Sequence, residues 1–155
     1  MMRFDKELLR LYKNVPFRFK IYTLIRCGLC PFSEIEKAVP EDGKILDLGC
    51  GHGIFSNFLA LKGPGRHVIG TDLLENKINV AISTISKRKN VEFRREDLRR
   101  SLADTGITCI TLVDVACYFS ESEKRELFKR FYDFLPAGGT VVIKCIQEVP
   151  RWKYI

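Results

Sequence analysis

From residue 44 onward the sequence predicts a doubly wound α/β fold, and three observations carry that reading. Five apolar runs of β type, at residues 44–48, 67–71, 91–94, 107–113 and 140–146, alternate with stretches of helical periodicity. The first, fourth and fifth runs are nearly continuous in apolar residues, as strands are when helices cover both faces of a parallel sheet. The first run leads into a glycine turn, "ILDLGCGHG" at residues 45–53, placed where such sheets bind their ligands. Right-handed crossovers between βα units then predict one parallel sheet in the order 3-2-1-4-5.

The first forty residues read as helices. Phe4, Leu8, Leu9 and Tyr12 recur at helical spacing with basic residues between them. The aromatic-rich stretch "NVPFRFKIYTLIRCGLCPF" is broken by Pro16 and Pro31, and a short helix at residues 33–39 precedes the turn at residues 40–43. Further helices are expected at residues 54–62, 75–86 and 121–135, with a shorter piece around 98–103. Ser120 with Glu123 fits a capping box for the last of these, and Leu127, Phe128, Phe131 and Leu135 form its apolar face. Residues 1–43 thus read as a helical lid and 44–155 as the core of a single domain, without internal repeats.

Composition narrows the function classes. A chain of 155 residues with 46% apolar and 29% charged side chains buries a real core, which excludes disorder. No apolar run approaches membrane-spanning length, and "MMRFDKELLR" is charged too early for a secretion signal, so a cytoplasmic protein is expected. Six cysteines in that setting read as reduced thiols. Cys27 and Cys30 have redox or zinc spacing, but there is no second CxxC, and only two histidines, His52 and His67, are present; no metal site is expected. The net charge of +7 is concentrated in residues 1–30, with seven cations against Asp5 and Glu7, and in residues 87–100, with seven against Glu92, Glu96 and Asp97. Such runs are solvated faces, or they attract phosphate, nucleic acid or an anionic membrane.

The glycine turn decides the cofactor. A dinucleotide fingerprint needs a third glycine at position 54 or 56, where Ile54 and Ser56 stand, and no P-loop is present. The pattern present, D-x-G-x-G-x-G, resembles motif I of the class I S-adenosylmethionine (SAM) dependent methyltransferases, which have a Rossmann-like fold. Four later features agree in order: "HVIGTD" ending in Asp72, "VEFRRED" ending in Asp97, "ITLVDVACYF" containing Asp114, and "FLPAGGTVVI". The resemblance covers residues 44–146 and implies SAM, or its product S-adenosylhomocysteine (AdoHcy), as ligand.

Carried onto this sequence, the resemblance assigns cofactor contacts to Asp47, Gly49, Cys50, Gly51, Gly53, Asp72, Leu73, Asp97, Leu98 and Asp114. Asp47 would orient the glycine loop and approach the methionine amino group. Gly49 and Gly51 would admit the cofactor to the backbone, and Gly53 would open the helix. Asp72 would accept the ribose hydroxyls, Asp97 and the Leu98 amide would read the adenine edge, and the Asp114 carbonyl would flank the amino group. Structural readings stand beside these: Asp47 as a turn cap, Asp97 paired with Arg94, Arg95, Arg99 or Arg100, Asp114 as a helix-start acid, Cys50 and His52 as packing or rim residues.

Methyl transfer from a sulfonium needs alignment and exclusion of water more than acid–base help. Tyr118, just after the fourth strand, is the candidate for orienting a nucleophile, or else packs beneath the site. No Asp/Asn-Pro-Pro-Tyr/Phe and no Pro-Cys follows that strand, so a small-molecule or lipid-like acceptor is expected, with peripheral membrane contact through the basic, aromatic N-terminal segment. Two other readings stay open: a silent SAM-binding protein that needs a partner subunit, and an RNA-directed methyltransferase using the two basic runs. The family's sheet has seven strands. Only "QEVPRWKYI" follows the fifth here, so strands six and seven are expected to be missing. That leaves strand five an apolar edge, to be covered by Trp152 and Tyr154 or paired in a homodimer.

Overall fold

The computed structural model describes residues 3–99, 102 and 104–145, with backbone alone at residues 3–5. The sheet holds β1 (Gly43–Leu48), β2 (Arg66–Asp72), β3 (Val91–Arg95), β4 (Ile107–Val113) and β5 (Thr140–Lys144). Its order is β3-β2-β1-β4-β5, with every pairing parallel, as the sequence predicts. The helices are α1 (Arg3–Leu11), α2 (Phe17–Leu29), α3 (Phe32–Glu36), α4 (Ile54–Lys62), α5 (Glu75–Ser83) and α6 (Glu121–Phe134).

Side-chain alternation along the strands separates two cores. Ile45, Val68, Cys109 and Val142 face one side, where they pack with Leu8, Ile35, Phe55, Phe58 and Ala81 from the helices. Leu46, Leu48, Ile69, Ile110 and Leu112 face the other and meet Leu127 and Phe131 of α6. Burying those two α6 side chains contributes about 1.5–3 kcal/mol each. The capping box is present: the Glu123 amide donates to Ser120 Oγ and the Ser120 amide donates to Glu123 Oε2 at 2.8 Å.

The N-terminal helices are fastened to the sheet by buried polar groups. Arg66, 2% exposed, donates to the carbonyls of Pro40, Val39 and Leu59 and pairs with Glu36 Oε1 at 2.7 Å. Tyr12, 1% exposed, donates its hydroxyl to the His52 carbonyl at 2.8 Å and accepts from Asn57 Nδ2 at 2.9 Å. Asn57 also donates to Thr84 Oγ1 and accepts from Arg88, which closes a network from the end of α1 to the glycine loop.

Some boundaries differ from expectation. The short helix around residues 98–103 is not formed at Leu98 and Arg99, which make a turn, because the Asp97 carboxylate accepts the Arg99 amide at 2.9 Å and competes with helical bonding. Helix α5 stops at Ser83, with Ser86 in the left-handed region at φ 56°. Strand β5 ends at Lys144, and the expected roles of Trp152 and Tyr154 lie outside the described residues. Among the described residues β5 pairs with β4 alone, and Val141 and Ile143 are 37% and 41% exposed. Cys30 and Cys109 are free thiols buried in the core. No helix among the described residues is long and apolar enough to cross a membrane.

Candidate functional site

A cavity of about 780 Å³ opens at the C-terminal ends of β1, β2 and β4. Because β2 and β4 flank β1, it has a β2 side and a β4 side. The glycine loop forms its floor. Gly49, Gly51 and Gly53 hold φ of 71°, 57° and 75°, a region that penalises any Cβ. A Cβ on Gly53 would stand 2.6 Å from the Phe93 ring and 2.9 Å from Ala81, and one on Gly49 would meet Val115 at 2.5 Å. Gly51 has open space on the corresponding side, which leaves its backbone bare toward the cavity. Helix α4 starts at Ile54 without a side-chain cap, so its first-turn amides are left for an anionic ligand group.

On the β2 side, Asp72 is 9% exposed and accepts the Gly51 amide on Oδ2 and the Leu74 amide on Oδ1, both at 2.9 Å. These bonds fix the carboxylate plane and leave each oxygen a further lone pair for vicinal hydroxyls. Leu73 and Leu98 line the cavity as expected, and so does Cys50, whose amide donates to the Thr71 carbonyl. Asp97 does not line it; its carboxylate accepts the Arg99 amide on Oδ1 and closes the turn there, and the expected alternative partner Arg100 lies outside the described residues.

Asp47 also reaches the cavity, though bound differently from expectation. It is 2% exposed and accepts hydroxyls from Ser56 of α4 and, at 2.7 Å, from Thr111 of β4. It thereby clamps three elements beneath the loop, with no hydrogen bond from its carboxylate to the loop itself among the described residues. Burial raises its pKa to about 6 against an ordinary 3.8, despite those two hydroxyls.

The β4 side is built from longer-range partners. Asp114 has a left-handed backbone at φ 60°, fixed by its amide donating to the Lys144 carbonyl at 2.8 Å. Its carboxylate pairs with Arg26 of α2 at 2.7 Å and with Lys144 of β5 at 2.6 Å. Burial alone would raise its pKa, but the bonds from Lys144 and Arg26 prevail and hold it below the usual range. A helix-start role for this acid does not fit, since α6 begins at Glu121. Tyr118 sits on a 3-10 turn, Ala116–Tyr118, lines the cavity and is 81% exposed, which rules out packing beneath the site.

Several lining residues went unassigned in the sequence reading. Tyr22 and Arg26 come from α2, Phe32 from α3 and Lys77 from α5. His52 packs its ring against Phe19 at 4.9 Å and Tyr22 at 5.0 Å between centroids, a rim and packing role as expected. Burial, with Lys77 nearby, lowers its pKa and keeps the imidazole neutral, and its Nδ1 is buried without a hydrogen-bond partner among the described residues. The one sequence signal for Arg26 was its place in an acid-free basic helix; its partner Asp114 lies 88 residues away.

Bare glycine backbone, uncapped α4 amides and a preoriented Asp72 fit a ligand with a ribose and an amino-acid tail, so the residues present suit SAM. Residues 45–139 match the family described as methyltransferase domain. The phosphoethanolamine N-methyltransferase of Plasmodium falciparum is 29% identical over 123 residues, covering 77% of this chain and 45% of the relative. The arsenite methyltransferase of Halobacterium salinarum is 35% identical over 115 residues, covering 68% of this chain and 28% of the relative. This chain therefore spans less than half the length of either. Among solved structures, PKMT2 from Rickettsia typhi in complex with AdoHcy superposes with a TM-score of 0.58 at 26% identity, covering 74% of this chain and 24% of that one.

Proposed function

The chain belongs to the class I SAM-dependent methyltransferase family, and from that membership we propose that it transfers a methyl group to a small-molecule or lipid-like acceptor. The observation that supports this most is the division of one cavity into a backbone-lined cofactor cradle on the β2 side and an open β4 side. When bound, the cofactor supplies a methyl carbon made electrophilic by its sulfonium. The protein's part is to bind, align and dry. In this reading Asp72 accepts the ribose hydroxyls, the α4 amides face the carboxylate, the Asp114 carbonyl flanks the amino group, and Leu98 covers the adenine edge. Asp47 lends negative charge beneath the cofactor's cationic end. The exposed Tyr118 hydroxyl orients the acceptor nucleophile.

The acceptor reading draws on the relatives, whose names specify phosphoethanolamine and arsenite, both small molecules. The lipid-like option draws on the apolar and aromatic lining from Tyr22, Phe32, Phe55 and Phe119. An RNA-directed reading draws less support, because three of the seven cations in the second basic run are paired within the chain. Arg88 serves the Asn57 network, Arg94 pairs with Glu92 and Asp104, and Arg95 pairs with Glu75. Residues 1–43 act as the lid in this reading, the buried thiols of Cys30 and Cys109 suit the cytoplasm, and the β5 edge offers a pairing surface to a second copy.

Calorimetry with SAM and AdoHcy tests the cofactor, and a methyl-release assay over a panel of amines, phenols, thiols and lipids tests the acceptor. Saturable SAM binding with turnover on one panel member is expected. Absence of SAM binding at millimolar concentration, alongside NAD binding, overturns the reading; SAM binding without turnover on any acceptor moves it to the silent form.

A further inference from the structure

Helix α2 turns its apolar side away from the protein. Phe17, Ile21, Leu24, Ile25 and Leu29 are 75%, 42%, 53%, 51% and 79% exposed. Their positions, at steps of four, three, one and four residues, lie on one face of a helix, with Gly28 among them. The opposite face carries Thr23, which is 1% exposed, and the partly buried Phe19 and Cys27 that pack on the core. An amphipathic helix in a globular domain shows the reverse, its apolar stripe inward. Patches of this kind mark interaction surfaces.

The charge around the stripe identifies what covers it. No acidic residue occurs from Leu8 to Ser33, while Arg10, Lys13, Arg18, Lys20 and Arg26 do. Arg10, Lys13 and Arg18 are exposed, and Arg18 lies within the angular span of the stripe itself. A two-fold contact between copies of this face would set those cations against each other. An anionic bilayer satisfies both components at once: acyl chains take the stripe and headgroups take the cations. The same helix supplies Tyr22 and Arg26 to the cavity, so the stripe is continuous with the cavity's rim.

We propose that α2 is a membrane-docking helix that lies in the interface of a bilayer containing anionic lipid and brings the cavity to the surface from which its acceptor is taken. The docking follows from α2 alone; the delivery of the acceptor rests on the methyltransferase reading above.

Vesicle flotation of the chain decides it, with phosphatidylcholine vesicles compared with vesicles that also contain phosphatidylglycerol. The chain should float with the second kind and not the first, and added salt should weaken the association. Leu24→Glu combined with Ile25→Glu should reduce bound protein about tenfold or more. SAM calorimetry on the same variant should be unchanged, which shows that the fold survives, because neither residue lines the cavity. Arg18→Glu should weaken flotation through charge alone, with the stripe intact. Failure to float with anionic vesicles overturns the proposal, as does equal flotation of the double variant. So does a dimer in solution that the double variant dissociates, which would make a second copy the occupant. Flotation without methyl transfer to any acceptor leaves the docking standing and removes the methyltransferase reading; methyl transfer without flotation does the opposite.

Discussion

On the β2 side of the cavity, the candidate groups are main chain or are locked to it: the left-handed Gly51, the amides of Gly51 and Leu74, and an Asp72 carboxylate that those amides hold. On the β4 side the carboxylate is held by other side chains instead, with Asp114 strung between Arg26 and Lys144, and Tyr118 stands in solvent. Main-chain construction ties ligand geometry to the fold, so a substitution on the β2 side damages both together. An exposed side chain separates the two, so Tyr118 can change without cost to stability, whereas Asp114, Arg26 and Lys144 are half-buried and bound to one another.

The hardest blow to that contrast falls on Gly53. An alanine there takes on a left-handed backbone and a Cβ pressed into Phe93 and Ala81, so Gly53→Ala should cost about 2–5 kcal/mol in urea unfolding and abolish SAM binding with it. A stable Gly53→Ala protein that binds SAM would remove the claim that fold and cradle are one. Asp47 comes next. Its folded pKa of about 6 lies above the ordinary 3.8, so the folded state holds the proton more tightly. Its contribution to stability is therefore fully present below about pH 4 and is lost as pH rises through about 6. Asp47→Asn should flatten that part of the pH profile and raise stability at pH 7 by up to about 3 kcal/mol. SAM affinity of the parent chain should rise from pH 5 to pH 7 as the carboxylate ionises, and the variant should lose that rise; thermal melts and calorimetry across pH read both.

Asp72→Ala should weaken SAM binding by about 1.5–3 kcal/mol in calorimetry, since a charged acceptor is lost. An affinity within twofold of the parent would unseat the ribose assignment. The smallest change in the fold belongs to the β4 side. Tyr118→Phe should shift stability by less than about 0.5 kcal/mol, because the ring is exposed, and should leave SAM affinity untouched while turnover drops. Unchanged turnover would make Tyr118 a bystander.

The same contrast governs how much the sequence discloses. The β2 side was legible because strand runs, glycine spacing and an acid at a strand end are local patterns with local causes. Gly49, Gly51 and Asp72 line the cavity, while Gly53 does not line it and stands at the start of α4. Asp97 stands beside the cavity rather than in its lining, its carboxylate taking the Arg99 amide, a local bond that the strand-end pattern does not announce. Asp47 was found but its partners were not: Thr111 lies 64 residues away, and no periodicity announces it. The β4 side depended almost wholly on such distances. Arg26 read as one cation among seven, and only the folded chain brings it to Asp114. The outward turn of α2 was equally hidden, since periodicity reports that an apolar face exists but not which way it points.

Arg66 carries a consequence for how the chain is made. Helices α1 to α3 leave the ribosome before β2, so the carbonyls of Val39 and Pro40 and the carboxylate of Glu36 find their buried cation only when the start of β2 follows. Val39 precedes that cation by 27 residues, which at about 5–20 residues per second is a delay of about one to five seconds. During nascent-chain growth the N-terminal segment thus waits, apolar and cationic, for its anchor. Docking it is a late act of assembly, completed after the first βα unit has been synthesised.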